Sequence, residues 1–270
     1  MRNDFTLSET ATALGDLFLP RLCVVCGAPL GARERHVCIR CAADLPLTRY
    51  WERSHNPMAD RFNALLQRQL FPEPPDGGTA VLEKPPAPYG PTEPYAYAAA
   101  LLLYHADAGY KHIPQRVKYD AHLRAGVFFG RMLGEYLAHS VALHDVETVI
   151  PVPLHWMRRW RRGYNQAEVI GAAVAEELGA VLRSDILVRE RRTRTQTRLN
   201  AEEKQHNVSG AFAVRPRVVE TLRREAFHHI LLVDDVFTTG ATLSACFHAL
   251  RTAIPAPVRI SIATLACVEG

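Results

Sequence analysis

The chain has 270 residues, 48% hydrophobic, 22% charged and 8% aromatic, close to the average for soluble globular proteins; this excludes a disordered or fibrous chain and allows one large domain with a smaller attachment. Net charge is +4, and lysine occurs only at Lys84, Lys111, Lys118 and Lys204, so the positive charge is nearly all arginine, whose planar fork suits phosphate-type partners; so small an excess is also what an ordinary basic surface carries. The longest apolar run, residues 95–104, is too short for the roughly 20 residues that cross a bilayer, and the opening MRNDFTLSET lacks the cationic start and apolar core of a signal peptide, so a cytoplasmic protein without membrane insertion is expected.

In chain order, the first feature is CVVCGAPLGARERHVCIRC, with Cys23 and Cys26 in one Cys-x-x-Cys knuckle and Cys38 and Cys41 in another. Four thiolates in two knuckles can occupy the corners of a tetrahedron; Zn²⁺ is the usual occupant, with iron in a rubredoxin-like site as the alternative. A redox role needs only one knuckle, and haem attachment needs histidine where Gly27 and Ala42 stand. The metal is expected to be structural, holding together a segment too small for its own core. His36 is read as a surface residue, and Cys246 and Cys267 as small buried hydrophobes.

Residues 56–70 have helical spacing, and residues 72–94 are too rich in proline for a helix or sheet interior. The organisation expected is a small zinc-finger module with its four cysteines over 1–50, a helix and proline-rich linker over 51–94, and a main domain over 95–270. In the main domain Leu123, Val127, Phe128, Leu133, Tyr136 and Leu137 fall on one face of a helix. A short strand over 147–153 and a helix over 165–178, ended by Gly179, follow. A nearly continuous apolar strand over 228–235, a helix over 242–252 and a strand over 258–268 complete an alternation that predicts an α/β fold, its parallel sheet covered on both faces. Ligands of such sheets bind beyond the carboxyl ends of the strands.

One such end carries VDDVFTTGAT, residues 233–242. A tight loop running into a helix offers unpaired N–H groups and a positive dipole to an anion, so Thr238, Thr239, Gly240, Ala241 and Thr242 can wrap a phosphate. Carboxylates beside an anion site, Asp234 and Asp235, make sense if they face sugar hydroxyls or Mg²⁺. No G-x-x-x-x-G-K-[ST] occurs in the chain, which excludes a P-loop NTPase. This stretch resembles the phosphoribosyl diphosphate (PRPP) signature of type I phosphoribosyltransferases. The resemblance implies that fold, with Asp234 and Asp235 on the ribose hydroxyls and as the catalytic carboxylates, the loop Thr238, Thr239, Gly240, Ala241 and Thr242 on the 5′-phosphate, and Mg²⁺ as a cofactor with PRPP. The knuckles, Val117-Lys118-Tyr119, PVPLHWMRRWRRGYNQAE at 151–168 and RRTRTQTRLNAEEKQHNVSGAF at 191–212 together resemble the ComF family of competence-associated proteins, with Val117 where that family usually has leucine.

PRPP also carries a diphosphate, for which Arg158, Arg159, Arg161, Arg162 and Gly163 are the candidates; the alternative is a basic helix start or surface turn. Residues 191–207 are read as a mobile lid, with Arg194, Thr195, Gln196, Thr197, Arg198 and Asn207 as its ligand-facing residues, or else as a solvated hairpin. Two functions follow. The ComF resemblance implies a PRPP-binding protein of DNA uptake, its partners single-stranded DNA, which Trp156, Trp160 and Tyr164 among the arginines would suit, and proteins of the uptake machinery. The alternative is a working transferase acting on a nucleobase or amine, although no stretch specifies an acceptor.

Overall fold

The computed structural model describes residues 20–70, 94–104, 110, 113, 123–190, 210–224, 227–254 and 258–268. In chain order these form α1 (Ile39–Ala43), a single 3-10 turn (Tyr50–Glu52), α2 (Pro57–Leu70), β1 (Ala98–Tyr104), α3 (Leu123–Ala138), β2 (Thr148–Pro151), α4 (Trp156–Arg162), α5 (Gln166–Leu178), β3 (Val181–Leu182), β4 (Leu187–Arg189), β5 (Phe212–Val214), α6 (Pro216–Arg224), β6 (His229–Phe237), α7 (Ala241–Arg251) and β7 (Arg259–Val268). The expected linker over 72–94 lies outside the described residues except for Pro94.

A five-stranded sheet runs in the order β1-β7-β6-β2-β3, with every pairing parallel, so the expected α/β sheet is present. β4 and β5 form a separate antiparallel pair. The central strand β6 is bonded to β7 on one side and β2 on the other. Its side chains alternate between two apolar layers: Ile230 and Leu232 belong to the one that includes α2, α6 and α7, while Leu231 and Val233 belong to the one that includes α3, α5 and the cysteine segment. Covered on both faces, the strand can be apolar from Ile230 to Val233, and its first five residues are all buried.

Capping residues set the helices on the strand ends. Asn56 starts α2, accepting the Ala59 N–H at 3.0 Å and donating to the Ala98 carbonyl of β1 at 2.9 Å. Asn165 starts α5 in the same way, and Gly179, at φ 64°, ends it. Residues 95–104, considered by length alone in the sequence, end in the edge strand β1, which pairs with β7. Among the described residues no helix is long and apolar enough to cross a membrane.

The face expected for α3 is buried at Leu133 and Leu137 but differs toward the start of the helix. Leu123 and Val127 are exposed and Phe128 is half-buried; the buried face carries Gly126, Phe129, Gly130, Leu133, Gly134 and Leu137. Three glycines share it with the bulky residues because α3 lies close against α5: a Cβ on Gly134 would sit 2.7 Å from Glu177 Cβ, and one on Gly130 would sit 2.9 Å from Ala173 Cβ. His36, expected at the surface, is half-buried beside Phe128, their rings 5.3 Å apart.

Gly134→Ala is expected to destabilise the protein by about 1–3 kcal/mol through this overlap, although the same change in an open helix would stabilise it by up to about 1 kcal/mol. Urea unfolding followed by circular dichroism gives the sign. Acid sensitivity follows from two histidines held neutral. Burial pushes His229 below 6.5, with Asp145 drawing it part of the way back, and burial lowers His248 from 6.5 to about 4. The unfolded chain takes up these protons first, so stability is complete above pH 6.5 and is lost as pH falls toward about 4. Urea midpoints at pH 7.5 and 5 should differ accordingly, and His248→Gln should flatten the slope.

Candidate functional site

The carboxyl ends of β2 and β6 and the start of α7 enclose a cavity of about 210 Å³. Asp234, Asp235, Thr238, Thr239, Gly240, Ala241 and Thr242 all line it, so the sequence-predicted run forms one wall. β6 continues through both aspartates to Phe237, beyond its expected end, and the two acids are half-buried at the rim. Asp234 Oδ1 accepts the Asp235 N–H at 2.8 Å, which fixes that carboxylate relative to the backbone.

Gly240 turns the chain into α7 with φ 77°. A Cβ there would fall 2.9 Å from the Phe237 ring and 3.3 Å from Leu65, so both the conformation and the space demand glycine. Thr239 Oγ1 accepts the Ala241 N–H at 3.5 Å, and the following N–H groups of the first turn have no acceptor within the helix. One end of the cavity therefore favours an anion and its neighbour carries two carboxylates. A ligand suited to both has an anionic group next to hydroxyls or a bound cation.

Three supporting residues were not singled out for the site by the sequence. Arg61 on α2 donates to the Thr238 and Val268 carbonyls, both at 2.8 Å, and stacks over Phe237 at 5.4 Å, bracing the turn from beneath. Asn165 donates to the Val152 carbonyl at 3.0 Å, joining the start of α5 to the opposite wall. Arg189, only 8% exposed and stacked over Phe212 at 5.0 Å, brings a guanidinium to that wall from the end of β4.

The basic segment is a short helix, α4. His155 Nδ1 caps it by accepting the Met157 N–H at 3.3 Å, and Gly163, at φ 76°, ends it. Arg159 pairs with Glu168 at 3.3 Å and lines a second cavity of about 160 Å³ beside the first. The side chains of Arg158, Arg161 and Arg162 lie outside the described residues, and Gly163 is exposed. Trp156 and Trp160 are 69% and 84% exposed. Lys118, Arg194, Thr195, Gln196, Thr197, Arg198 and Asn207 also lie outside the described residues.

Far from this cleft in sequence, the sulfurs of Cys23, Cys26, Cys38 and Cys41 all lie within 4.8 Å of one another and could hold a metal ion. Backbone N–H groups of Val25 and Cys38 each point at Cys23 Sγ at 3.4 Å. Burial pushes the Cys23 thiol up, but these donors and the Cys26 N–H outweigh it and bring its pKa to about 6, favouring a thiolate. The loop between the knuckles is fastened by Glu34, which accepts the Gly31 and Ile39 N–H groups, both at 2.6 Å; these hold its carboxyl below the usual range.

No family model matches the chain. Competence protein F of Haemophilus influenzae is 37% identical over 105 residues, 39% of this chain and 44% of that protein. The DNA utilization protein YhgH of Salmonella typhimurium is 34% identical over 105 residues and that of Escherichia coli K12 33%, each match covering 39% of this chain and 43% of the relative. The match thus spans less than half the length of these curated relatives. They bear out the resemblance to the ComF family that the motifs carry.

Proposed function

We propose that the chain binds PRPP in the first cavity and takes part, in the cytoplasm, in the use of DNA acquired by the cell. The observation that carries the first half is the pairing of two rim carboxylates with an anion-binding turn on one cavity wall. In this reading the fold is that of a type I phosphoribosyltransferase. The N–H groups and hydroxyls of Thr238 through Thr242 hold the 5′-phosphate, Asp234 and Asp235 accept from the ribose hydroxyls, and the C1 end faces the wall of Pro153, Leu154 and Arg189. Mg²⁺ on the diphosphate would offset its charge; the donors that suit it are phosphate oxygens and the two aspartates. Arg158, Arg159, Arg161 and Arg162 on α4, with Gly163, and the segment holding Arg194 to Arg198 and Asn207 are the candidates for closing over the diphosphate.

The second half rests on relatives named for competence and DNA utilization. The exposed Trp156 and Trp160 on an arginine-rich helix support single-stranded DNA as a partner, since bases stack on such rings irrespective of sequence. A phosphoribosyl transfer to a nucleobase or amine is the second reading, favoured by the cavity adjoining the C1 end. In that chemistry the C1–O bond breaks, the carboxylates stabilise the positive ribose ring, diphosphate leaves with the bonding electrons, and a nitrogen attacks C1.

For the four cysteines we propose Zn²⁺ in a structural role. A closed set of four sulfurs with a thiolate-favouring member fits a tetrahedral site without an open position.

Calorimetry with PRPP and Mg²⁺ should give saturable binding to the native chain, and Asp234→Ala with Asp235→Ala should reduce affinity by at least about 100-fold, as expected for losing two charged acceptors. Equal affinity in the double variant would refute the site. Elemental analysis should find one zinc per chain, lost in Cys38→Ser and retained in the double aspartate variant, with the melting temperature falling on chelation.

A further inference from the structure

The second cavity, about 160 Å³, lies between the end of β2, the starts of α4 and α5, and the roots of the β4–β5 pair. It shares Pro153, Leu154, Asn165 and Arg189 with the first cavity, so the two are neighbours across one thin wall. Given the PRPP reading, on which this inference rests, the 5′-phosphate on the Thr238 to Thr242 turn directs C1 toward that shared wall.

Its lining is of two kinds. Pro151, Pro153, Leu154, Leu187 and Val188 make an apolar slot, with Trp156 at its edge. Against this stand Arg189 and Arg215. Arg159 adds little net charge because Glu168 neutralises it at 3.3 Å. Arg189 is fixed in orientation by its stack on Phe212, and Arg215 follows directly after β5, its backbone N–H held by the Ile186 carbonyl at 2.9 Å. The Arg215 Nε is buried and has no hydrogen-bond partner among the described residues. A buried guanidinium donor without an acceptor beside an apolar slot calls for a ligand that supplies one.

We infer that this cavity binds a small planar organic anion, a ring bearing a carboxylate or phosphate, as the second substrate or ligand that meets C1 of the sugar phosphate. The anionic group accepts from Arg215 and Arg189, and the ring lies between the proline and leucine side chains. The volume matches one six-membered ring, since cavities of about 150 Å³ admit benzene. A diphosphate is a poor occupant: five apolar side chains line the space, Glu168 already neutralises Arg159, and the charged oxygens that Arg189 and Arg215 do not reach would lose water without replacement.

Benzoate, phenyl phosphate, neutral benzamide and inorganic diphosphate are the probes, added to the zinc-loaded chain without PRPP and followed by ligand-observed NMR and calorimetry. Benzoate and phenyl phosphate should bind and compete with each other, with benzamide weaker by at least about tenfold, the discrimination expected of one charge-assisted pair. Arg215→Gln should weaken benzoate by about tenfold and leave PRPP affinity unchanged, and Val188→Phe, which fills the slot, should abolish benzoate binding. Failure of the native chain to bind benzoate or phenyl phosphate overturns the inference. So does tighter binding of diphosphate than of benzoate, or an Arg215→Gln variant that loses PRPP as strongly as benzoate, for the cavity would then belong to PRPP itself. Benzoate binding that depends on Arg215, in a chain that ignores PRPP, would remove the PRPP reading and leave the ligand class of this cavity standing.

Discussion

Two adjacent carboxylates at the end of a doubly covered strand are the constraint around which this molecule is arranged. An ionised acid deep between two apolar layers would lose several kcal/mol of hydration, so Asp234 and Asp235 can exist only where the layers stop. The pairing register provides that place. β2 reaches Pro151 opposite Val233, and the next two residues of β6 pass beyond it while β7 continues alongside as far as Cys267. The open side left by the shorter strand is the cavity, and the acids look into it half-buried. Sheet polarity does the rest: the same end of β6 meets the positive start of α7.

That turn is held from below by an element distant in sequence. Arg61 reaches across 177 positions to the Thr238 carbonyl, and Leu65, one helical turn along, sits under Gly240. Phe62 on the same helix packs edge-on against Phe237 and Phe247, at 6.4 and 5.9 Å. α2 is thus a floor for the turn from Thr238 to Thr242, with a guanidinium built into it. Its own position depends on Asn56 and Asn63, whose side-chain amides bond to Ala98 and Ala96 at the start of β1. The strand at the sheet edge and the turn at its centre are therefore coupled through one helix.

What could be read in advance was what is local. The cysteine spacing, the start of α5, the Gly179 stop and the run from β6 into α7 each lie within about 20 neighbouring residues, and each is found where the sequence put it. The face of α3 was read rightly at Leu133 and Leu137 but not at its start, because apolar periodicity weighs Leu123 and Val127 above Gly126, Gly130 and Gly134, whereas close helix contact selects for the absence of a side chain. β1 was missed as a strand because its partner, β7, lies some 160 residues away. Arg61, Arg189 and Arg215 stood among 32 cationic residues with nothing local to single them out; their roles come from burial, stacking and hydrogen bonds that only the fold creates.

The opposite end of the same strands shows why position outweighs composition. His229 Nδ1 lies 2.7 Å from Asp145 Oδ1, and Nε2 lies 2.8 Å from Ser261 Oγ, a row of acid, imidazole and hydroxyl with the spacing of a nucleophilic triad. Both His229 and Ser261 are fully buried, so a substrate has no approach to the hydroxyl. Burial keeps the imidazole neutral, and Arg259 pairs with the outer oxygen of Asp145, whose hydrogen bonds with His229 and Arg259 outweigh desolvation and hold its carboxyl low. The network instead ties the starts of β6 and β7 to the loop before β2, satisfying polar groups that the amino ends of parallel strands bring together. Three reactive groups in good geometry do structural work at the amino ends of the strands, while two aspartates line an open cavity at the carboxyl ends, because there the covering layers part and the helix dipole points outward.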